Sequence, residues 1–225
     1  MKNIVVFGGG LHANVCIDIF EKVGNVNIIG IVDSIADIGT ILFGYPVIGR
    51  QENMLELKEK YKIDAGFVAI GDNYDRKFVR DVIVSQVPDF TFVNAIHPKV
   101  SIGRNVKLGV GIAMTANVVV NADAVVEDFC ILNTGAQLEH NSFMGEFSHL
   151  SVGAITGGKV RICKFATITL GVIIIDRITI GENTVVGSGS VVLKDLPDNV
   201  IAYGNPAIVV RMRTLGERIF KTKFE

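Results

Sequence analysis

The sequence contains no tryptophan, only three cysteines and no excess of charge of either sign. Its 22 Lys and Arg residues are balanced by 23 Asp and Glu residues. It therefore lacks the basic character that nucleic-acid binding requires. Because 49% of the residues are apolar, a disordered acidic chain is excluded as well. The composition indicates a globular protein with one or two domains.

Leucine is also scarce, and this absence says more about the fold. The chain has 12 Leu against 28 Ile and 31 Val, together with 24 Gly. β-Branched residues favour strands, whereas helical proteins rely on Leu and Ala. The composition predicts many short strands with frequent tight turns.

Targeting and membrane signals are missing from the sequence as given. Only four apolar residues follow Asn3 before Gly8, too few for a signal peptide. The most apolar stretch, residues 170–175, is far shorter than the ~20 residues that span a bilayer. Three cysteines without metal-type spacing favour reduced thiols in a cytoplasmic protein. We therefore expect no metal site, and we expect three buried cysteines: Cys16, Cys130 and Cys163.

A six-residue repeat fills the second half of the chain. Every sixth residue from Ile96 to Val192 gives seventeen positions, of which sixteen are aliphatic, and Thr156 is the exception. A small residue usually stands two positions before each step, and Gly, Asn or Glu one position after it. Three such hexads form one 18-residue coil of a left-handed parallel β-helix. We expect the aliphatic residue to point inward and the following Gly or Asn to adopt the positive φ of the turn.

The first ninety residues follow a different pattern, in which strands alternate with helices. Strands are predicted at residues 4–7, 27–32, 65–70 and 90–93, and helices at 14–23, 52–61 and 72–84. This alternation is typical of a small Rossmann-like parallel sheet. We assign residues 1–93 to a Rossmann-like domain and residues 94–197 to a left-handed β-helix domain. Residues 198–225 are expected to form a C-terminal segment, extended over 200–206 and helical over 210–220.

The segment from Gly8 to Ala13 matches the G-x-G-x-x-A pattern, with Asp33 about twenty residues further on. Such glycines let the backbone approach a phosphate at a helix N-terminus, and the Asp accepts from a ribose hydroxyl. The domain is too short for the second half of a dinucleotide fold, so a single nucleotide fits better than NAD(P). A tight turn that binds nothing is the alternative. His12 either donates to a phosphate or caps the turn.

A second glycine turn, at Gly71, ends the predicted third strand. It lies at the sheet edge where such folds bind ligands, although Asp72 or Asn73 is equally suited to cap a helix.

The repeat places one histidine in open space. In an 18-residue coil, His140 lies between Ala122 and Gly158, and these small neighbours leave room for a substrate beside the ring. A histidine in this position is a candidate general base. His149 is half a coil away, so both imidazoles reach one cleft only where β-helices associate side by side. His97, which precedes Pro98, is expected to be structural.

The stretch from Ile131 to Asn141, followed by Gly145 to Gly153, resembles the NeuD/PglD sugar O-acyltransferase family. It resembles more closely the N-acetyltransferases that act on UDP-4-amino-4,6-dideoxy sugars. The similarity extends over nearly the whole chain, including the Gly8 loop and the turn from Gly204 to Ala207. In that turn the usual Lys after the Ala is Ile208 in this sequence.

The resemblance implies an acetyl-CoA-dependent homotrimer without metal, with active sites between neighbouring β-helices and a role in surface polysaccharide biosynthesis. It places the catalytic base at His140. It also implies substrate-binding residues in the first domain, namely Gly10, Leu11, His12, Asp33, Ser34, Gly71 and Tyr74. Acetyl-CoA contacts are implied at His149, Leu170 and Gly187.

One residue departs from the family pattern. Close relatives have Asp or Glu after the catalytic histidine, whereas this chain has Asn141, which can orient a ring N–H but cannot stabilise an imidazolium by charge. Glu139 or a water is the alternative partner of the ring.

The expected reaction is direct attack of a sugar amine on the thioester, with His140 as base. A backbone N–H, such as that of Gly158, would stabilise the oxyanion. An O-acetyltransferase of a sialic-acid-type sugar and an N-acetyltransferase of a GDP-linked amino sugar are alternatives within the class. A non-catalytic sugar-nucleotide-binding scaffold is the alternative from another class.

Overall fold

A computed structural model describes residues 1–218, which form two compact units. The first comprises residues 1–71 and 75–98, and the second comprises residues 72–74 and the chain from residue 99 onward. Each unit is built from a different kind of sheet.

The first unit is an α/β fold around a five-stranded sheet. The strand order is β3-β4-β2-β1-β5, and β1 runs parallel to both of its neighbours. The predicted Rossmann-like architecture is confirmed. The bounds are β1 (Lys2–Phe7), α1 (Leu11–Val23), β2 (Val26–Val32), β3 (Ile41–Leu42), β4 (Tyr45–Gly49), α2 (Met54–Tyr61), β5 (Ala65–Val68), α3 (Asn73–Gln86) and β6 (Ala95–Ile96).

Two details of the first unit differ from the prediction. The sequence pattern did not identify the β3–β4 hairpin, which turns at Phe43 and Gly44, both with positive φ. A hairpin with only two pairs of facing residues carries too little alternation to be recognised. The expected strand at 90–93 is reduced to a single bridge between Phe92 and Gly66.

The second unit is a left-handed parallel β-helix whose coils consist of two-residue strands. The predicted hexapeptide-repeat fold is confirmed. Its strands are β7 (Ser101–Ile102), β8 (Lys107–Leu108), β9 (Ala113–Met114), β10 (Val119–Val120), β11 (Val125–Val126), β12 (Ile131–Leu132), β13 (Gln137–Leu138), β14 (Phe143–Met144), β15 (His149–Leu150), β16 (Ile155–Thr156), β17 (Arg161–Ile162), β18 (Thr167–Ile168), β19 (Ile173–Ile174), β20 (Thr179–Ile180), β21 (Val185–Val186), β22 (Val191–Val192), β23 (Val200–Gly204) and β24 (Ala207–Met212).

The coils stack with a register of 18 residues. Val119 pairs with Gln137 and Ile131 with His149, both in parallel. The aliphatic position of the repeat is buried from Met114 to Val192, and Thr156 is buried at the same position. In the first coil, however, Ile102 is 44% exposed. Apart from that end, the predicted inward-facing frame is confirmed.

The prediction was wrong about which residue turns the corner. Positive φ occurs three residues after the aliphatic position, as at Asn117 (φ 62) and Gly153 (φ 65), and not one residue after it. Glycine one residue after has another cause: a Cβ on Gly103 would lie 2.5 Å from the backbone N of Ala122 in the next coil. These glycines serve the close approach of coils.

Three phenylalanines occupy the positive-φ position of successive coils, where bulky residues are disfavoured. The rings of Phe129, Phe147 and Phe165 stack with centroids 5.0 and 5.5 Å apart. Tyr74 continues the stack at 4.6 Å from Phe165, and Asn73 donates to the carbonyl of Phe165. Stacking of buried aromatic rings offsets the backbone cost.

The expected C-terminal helix over 210–220 is wrong where the structure describes it. Residues 210–212 belong to β24, which pairs antiparallel with β23, and residues 213–218 are not helical. The run Ile208–Val210 is β-branched and favours a strand. The extended segment predicted after Pro197 is confirmed as β23. Residues 219 and 220 lie outside the described part of the chain.

Candidate functional site

The loop between β1 and α1 brings backbone groups to the carboxyl edge of the sheet. Gly8 has φ 103, and a Cβ there would lie 3.2 Å from the carbonyl oxygen of Ala69, so glycine is needed for both reasons. Gly10 is the N-cap of α1 and supplies no side-chain cap. The N–H of Ala13 donates to the carbonyl of Gly10 at 2.9 Å, so the N–H groups of Leu11 and His12 are the ones at the helix start that suit solvent or an anion.

Asp33 ties this loop to the end of β2. Its carboxylate accepts from the backbone N–H groups of Gly9 at 2.6 Å and of Ile35 and Ala36 at 2.8 Å. Burial by itself would raise the pKa of Asp33, but these three bonds and nearby Arg50 hold it below its usual value. The side chain therefore organises two loops besides any bond that it makes to a ribose.

His12 is neutral at physiological pH. Burial, and then the positive charge of Arg76, lower the pKa of His12 to about 4, and Cys16 Sγ lies 3.7 Å from His12 Nε2. A neutral imidazole can donate one hydrogen bond to a phosphate but adds no charge. The buried guanidinium of Arg76 donates to the carbonyl of Gly71 at 3.0 Å.

The remaining predicted substrate residues differ in their surroundings. Leu11 and Ser34 are exposed, and nothing lies within 4 Å of a Cβ on Gly71 or Gly10. Tyr74 belongs to the second unit, where its ring is stacked on Phe165.

In the second unit, His140 is an exposed side chain at a corner of the prism. The turn residue Asn141 has φ 57, a conformation that Asn tolerates. Its Oδ1 lies 3.0 Å from His140 Nδ1. Because an amide oxygen only accepts, this contact favours the neutral tautomer with the proton on Nδ1, in which Nε2 is the nitrogen that can accept a proton.

Glu139 is not the hydrogen-bond partner of the His140 ring. Its carboxylate accepts from the amide of Asn121 at 2.9 Å, and its backbone N–H donates to the hydroxyl of Thr156 at 3.0 Å. Thr156 thus replaces an aliphatic residue directly beside the candidate base, where its buried hydroxyl supports the corner.

A cavity of about 480 Å³ opens at this corner, and its lining includes His140 and Gly158 together with the charged residues Lys159, Asp176 and Arg177. Gly158 has no room for a side chain, since its Cβ would lie 2.5 Å from His140 Nε2. The Gly158 N–H donates to Asp176 Oδ1 at 2.5 Å. The expectation that this N–H is available to an oxyanion is therefore wrong for the structure as it stands.

The predicted acetyl-CoA residues lie elsewhere on the second unit. His149 is buried on β15, and its Nε2 lies 2.8 Å from the side-chain nitrogen of Asn133. Leu170 is 48% exposed. A Cβ on Gly187 would lie 2.7 Å from that of Tyr203.

Three residues that line the cavity were not predicted from the sequence: Lys159, Asp176 and Arg177. All three were within reach of the same arithmetic, because they lie 18 or 36 residues after the His140–Asn141 pair. Arg76 had no such signal, since nothing in its position indicates burial.

Among residues 1–218, no three His, Cys, Asp or Glu side chains are grouped to hold a metal. No described helix combines the length and hydropathy needed to cross a membrane. The cysteines form no disulfide; Cys16 and Cys130 are buried as expected, whereas Cys163 is only partly buried.

A six-residue-repeat β-helix with an oriented histidine beside a corner cavity defines the hexapeptide-repeat acyltransferase class. Curated relatives agree: a galactoside O-acetyltransferase of Lactococcus lactis is 32% identical over 53% of this chain and 58% of its own length. A serine acetyltransferase of Arabidopsis thaliana is 27% identical over 62% of this chain. The chain thus spans little more than half the length of the first of these relatives and 39% of the second.

Residues 3–83 match the family model of the PglD N-terminal domain. PerB from Caulobacter crescentus, solved with CoA and GDP-perosamine, is 36% identical with a TM-score of 0.86, covering 94% of this chain and 98% of PerB. The acetyltransferase domain of PglB from Neisseria gonorrhoeae, solved with acetyl coenzyme A, is 28% identical with a TM-score of 0.84, covering 93% and 99%. The chain belongs to the NeuD/PglD-like family of sugar acyltransferases and is an enzyme.

Proposed function

We propose that this enzyme transfers the acetyl group of acetyl-CoA to the 4-amino group of a nucleotide-linked 4-amino-4,6-dideoxy sugar. The observation that carries the proposal is the His140–Asn141 pair, which leaves Nε2 as a base at the edge of a cavity. The similarity to PerB and PglB supports the N-acetyltransferase reaction and acetyl-CoA as co-substrate.

In the proposed reaction, the amine nitrogen attacks the thioester carbonyl carbon. A C–N bond forms and the C–S bond breaks, so that the acetamide forms and CoA departs as its thiolate. His140 Nε2 accepts the proton lost by the amine, an effect of about 10²–10⁴-fold in rate. That proton then passes to the departing thiolate, and the base is regenerated.

Binding of the substrate nucleotide is assigned to the first unit. The N–H groups at the start of α1 suit a diphosphate, and Asp33 holds the neighbouring loop in place. Gly10, Leu11, His12, Ser34, Gly71 and Tyr74 remain proposed contacts. His149, Gly158, Leu170 and Gly187 remain proposed contacts of acetyl-CoA.

The two candidate substrates differ in the base of the nucleotide. A UDP-linked sugar is the expectation from the motifs. A GDP-linked sugar is favoured by PerB, which was solved with GDP-perosamine and is more similar to this chain than PglB is. Both candidates share the acetyl-transfer reaction and His140 as the general base.

We also propose the homotrimer. Val152 and Leu170 precede one corner of the prism, and Ile155 and Ile173 follow it; all four side chains are exposed. A patch of exposed apolar side chains is typical of an association surface. Multi-angle light scattering of the full chain tests this assembly. The cytoplasmic location remains a prediction from cysteine usage.

The decisive experiment measures CoA thiol release with UDP- and GDP-linked 4-amino-4,6-dideoxy sugars and with their 4-hydroxy counterparts. We expect release only with an amino sugar, together with a product heavier by one acetyl group. Release with the hydroxy sugars alone would identify an O-acetyltransferase. Binding of a sugar nucleotide without thiol release would instead support the non-catalytic scaffold.

A further inference from the structure

The corner formed by Gly157 and Gly158 lies between two polar side chains. On one side, Gly158 adjoins the imidazole of His140, with no room for a Cβ. On the other side, the carboxylate of Asp176 accepts the Gly158 N–H at 2.5 Å. A Cβ on Gly157 would lie 2.3 Å from Asp176 Oδ1, so both glycines are needed for this arrangement.

The same arrangement recurs at two other corners, where an Asp carboxylate accepts the N–H of the residue that follows a glycine. Asp128 accepts from the N–H of Val110 at 2.8 Å beside Gly109. Asp198 accepts from the N–H of Glu182 at 2.6 Å beside Gly181. A corner carboxylate that pairs an otherwise free N–H is therefore a general stabilising element of this prism.

At the Asp176 corner, unlike the Asp128 and Asp198 corners, the donating residue also touches the candidate base. We propose that Asp176 is a positioning residue for acetyl transfer, acting through Gly158 on the ring of His140. This inference rests on the proposed function, because it gives the corner a role in that reaction.

The physical reason is that one hydrogen bond cannot by itself hold an exposed imidazole. The bond from Nδ1 to Asn141 fixes one edge of the ring, and contact with Gly158 limits the movement of the Nε2 edge. Displacing a reacting group by about 1 Å can cost up to about 10²-fold in rate. Supporting hydrogen bonds of this kind keep a site within its productive geometry.

A direct electrostatic role is the alternative for the same carboxylate, since a negative charge in the cavity would attract the ammonium form of the amino sugar. Asp176→Asn separates the two roles. It retains an oxygen that accepts the Gly158 N–H but removes the charge.

The experiment compares Asp176→Ala, Asp176→Asn and the matched control Asp128→Ala, which removes the same element from another corner. We expect kcat about tenfold lower in Asp176→Ala, with both KM values within about twofold. Asp176→Asn should recover most of that loss. Asp128→Ala should lower Tm as Asp176→Ala does while keeping wild-type kcat. If Asp176→Ala does not fold, Asp176→Ser, with a shorter acceptor, replaces it.

Wild-type kcat in Asp176→Ala would overturn the inference. It would equally be overturned if Asp176→Asn were as impaired as Asp176→Ala with a raised KM for the amino sugar, since that result assigns a charge effect on substrate.

A readout without substrate separates this inference from the proposed function. The chain has only four histidines, so ring ¹⁵N signals of His140 can be assigned by their loss in His140→Gln. Asp176→Ala should shift these signals, and Asp128→Ala should not. Unmoved signals contradict the positioning role even if the wild-type enzyme is active, whereas absent thiol release in the wild type contradicts only the proposed function.

Discussion

In the first unit the candidate binding groups are backbone N–H groups, whereas in the second unit the candidate site is made of side chains. The loop at Gly8–Gly10 depends on glycine conformation and on Asp33, which joins residues far apart in the sequence. The corner at His140 depends on stacking of residues 18 positions apart.

This difference explains why the site in the second unit could be predicted from the sequence more completely than the site in the first unit. In a repeating coil, residues 18 positions apart lie side by side. The glycine at position 158 therefore predicts the space beside His140. An α/β sheet has no such rule, and the surroundings of His12 depend on packing of α1, Asp33 and α3. Variants at His140 and Gly158 in the second unit, and at His12 in the first, should therefore have different effects.

The largest effect is expected from His140→Ala. Removing the base should lower kcat at least about a hundredfold while acetyl-CoA still binds, because the general base contributes about 10²–10⁴-fold. Thiol-release kinetics and calorimetric titration with acetyl-CoA measure the two quantities. Wild-type kcat in this variant would remove His140 from the mechanism.

A single methyl group should impair the same corner. In Gly158→Ala the added Cβ would lie 2.5 Å from His140 Nε2, so the ring or the corner must move. We expect kcat to fall by about tenfold or more. Gly145→Ala, at another corner of the prism, is the matched control, because its Cβ would lie 2.7 Å from the backbone N of Lys164. It should lower Tm but leave the kcat of folded enzyme unchanged; equal kcat losses in both variants would contradict the specific role of Gly158.

In the first unit, His12→Gln should change pH dependence more than activity. The folded state holds the pKa of His12 at about 4, below its usual 6.5, so the unfolded chain binds more protons between these values. The stability contribution is therefore present above pH 6.5 and is lost as pH falls toward 4.

Thermal unfolding at several pH values between 7.5 and 4.5 measures this effect. The wild-type Tm should fall over this range by roughly 5 °C more than that of His12→Gln. Parallel curves for the two proteins would show that His12 is not held neutral, and would weaken the contrast between the two units.

The smallest effect is expected from Asn141→Asp. Both residues accept from Nδ1 and tolerate positive φ, so activity should remain or rise slightly as the carboxylate stabilises the imidazolium. Asn141→Gly, which keeps the turn but removes the acceptor, is the control and should lower kcat. A collapse of kcat in Asn141→Asp would show that the amide is specifically required.

Much of the prism and of its candidate site could be predicted from the sequence. The frame starting at Ile96 identified the inward residues, the 18-residue register and the neighbours of His140. Extending the arithmetic by one coil would have found Asp176 and Arg177. The partner of the His140 ring was left open between Asn141, Glu139 and a water, because the choice depends on side-chain direction; the structure places Asn141 beside the ring and bonds Glu139 to Asn121.

Other features were not predicted, for different reasons. The β3–β4 hairpin is too short for an alternation signal. The β-branched run Ile208–Val210 favours the strand that pairs with β23, but a helix was predicted from residue 210 onward. The positive-φ position was predicted wrongly because close approach of the coils and positive φ both favour glycine. Only the three-dimensional structure distinguishes these two causes.

Hydrophobic period and residue spacing were enough to identify the two-part architecture, the six-residue frame and the candidate base. The contact between the His140 ring and Asn141, the lowered pKa of His12 and the bond from the Gly158 N–H to Asp176 emerged only from the three-dimensional structure. The reason is physical: periodicity specifies which side chains are buried, but protonation and hydrogen bonding depend on distances of a few tenths of an ångström between residues far apart in the chain.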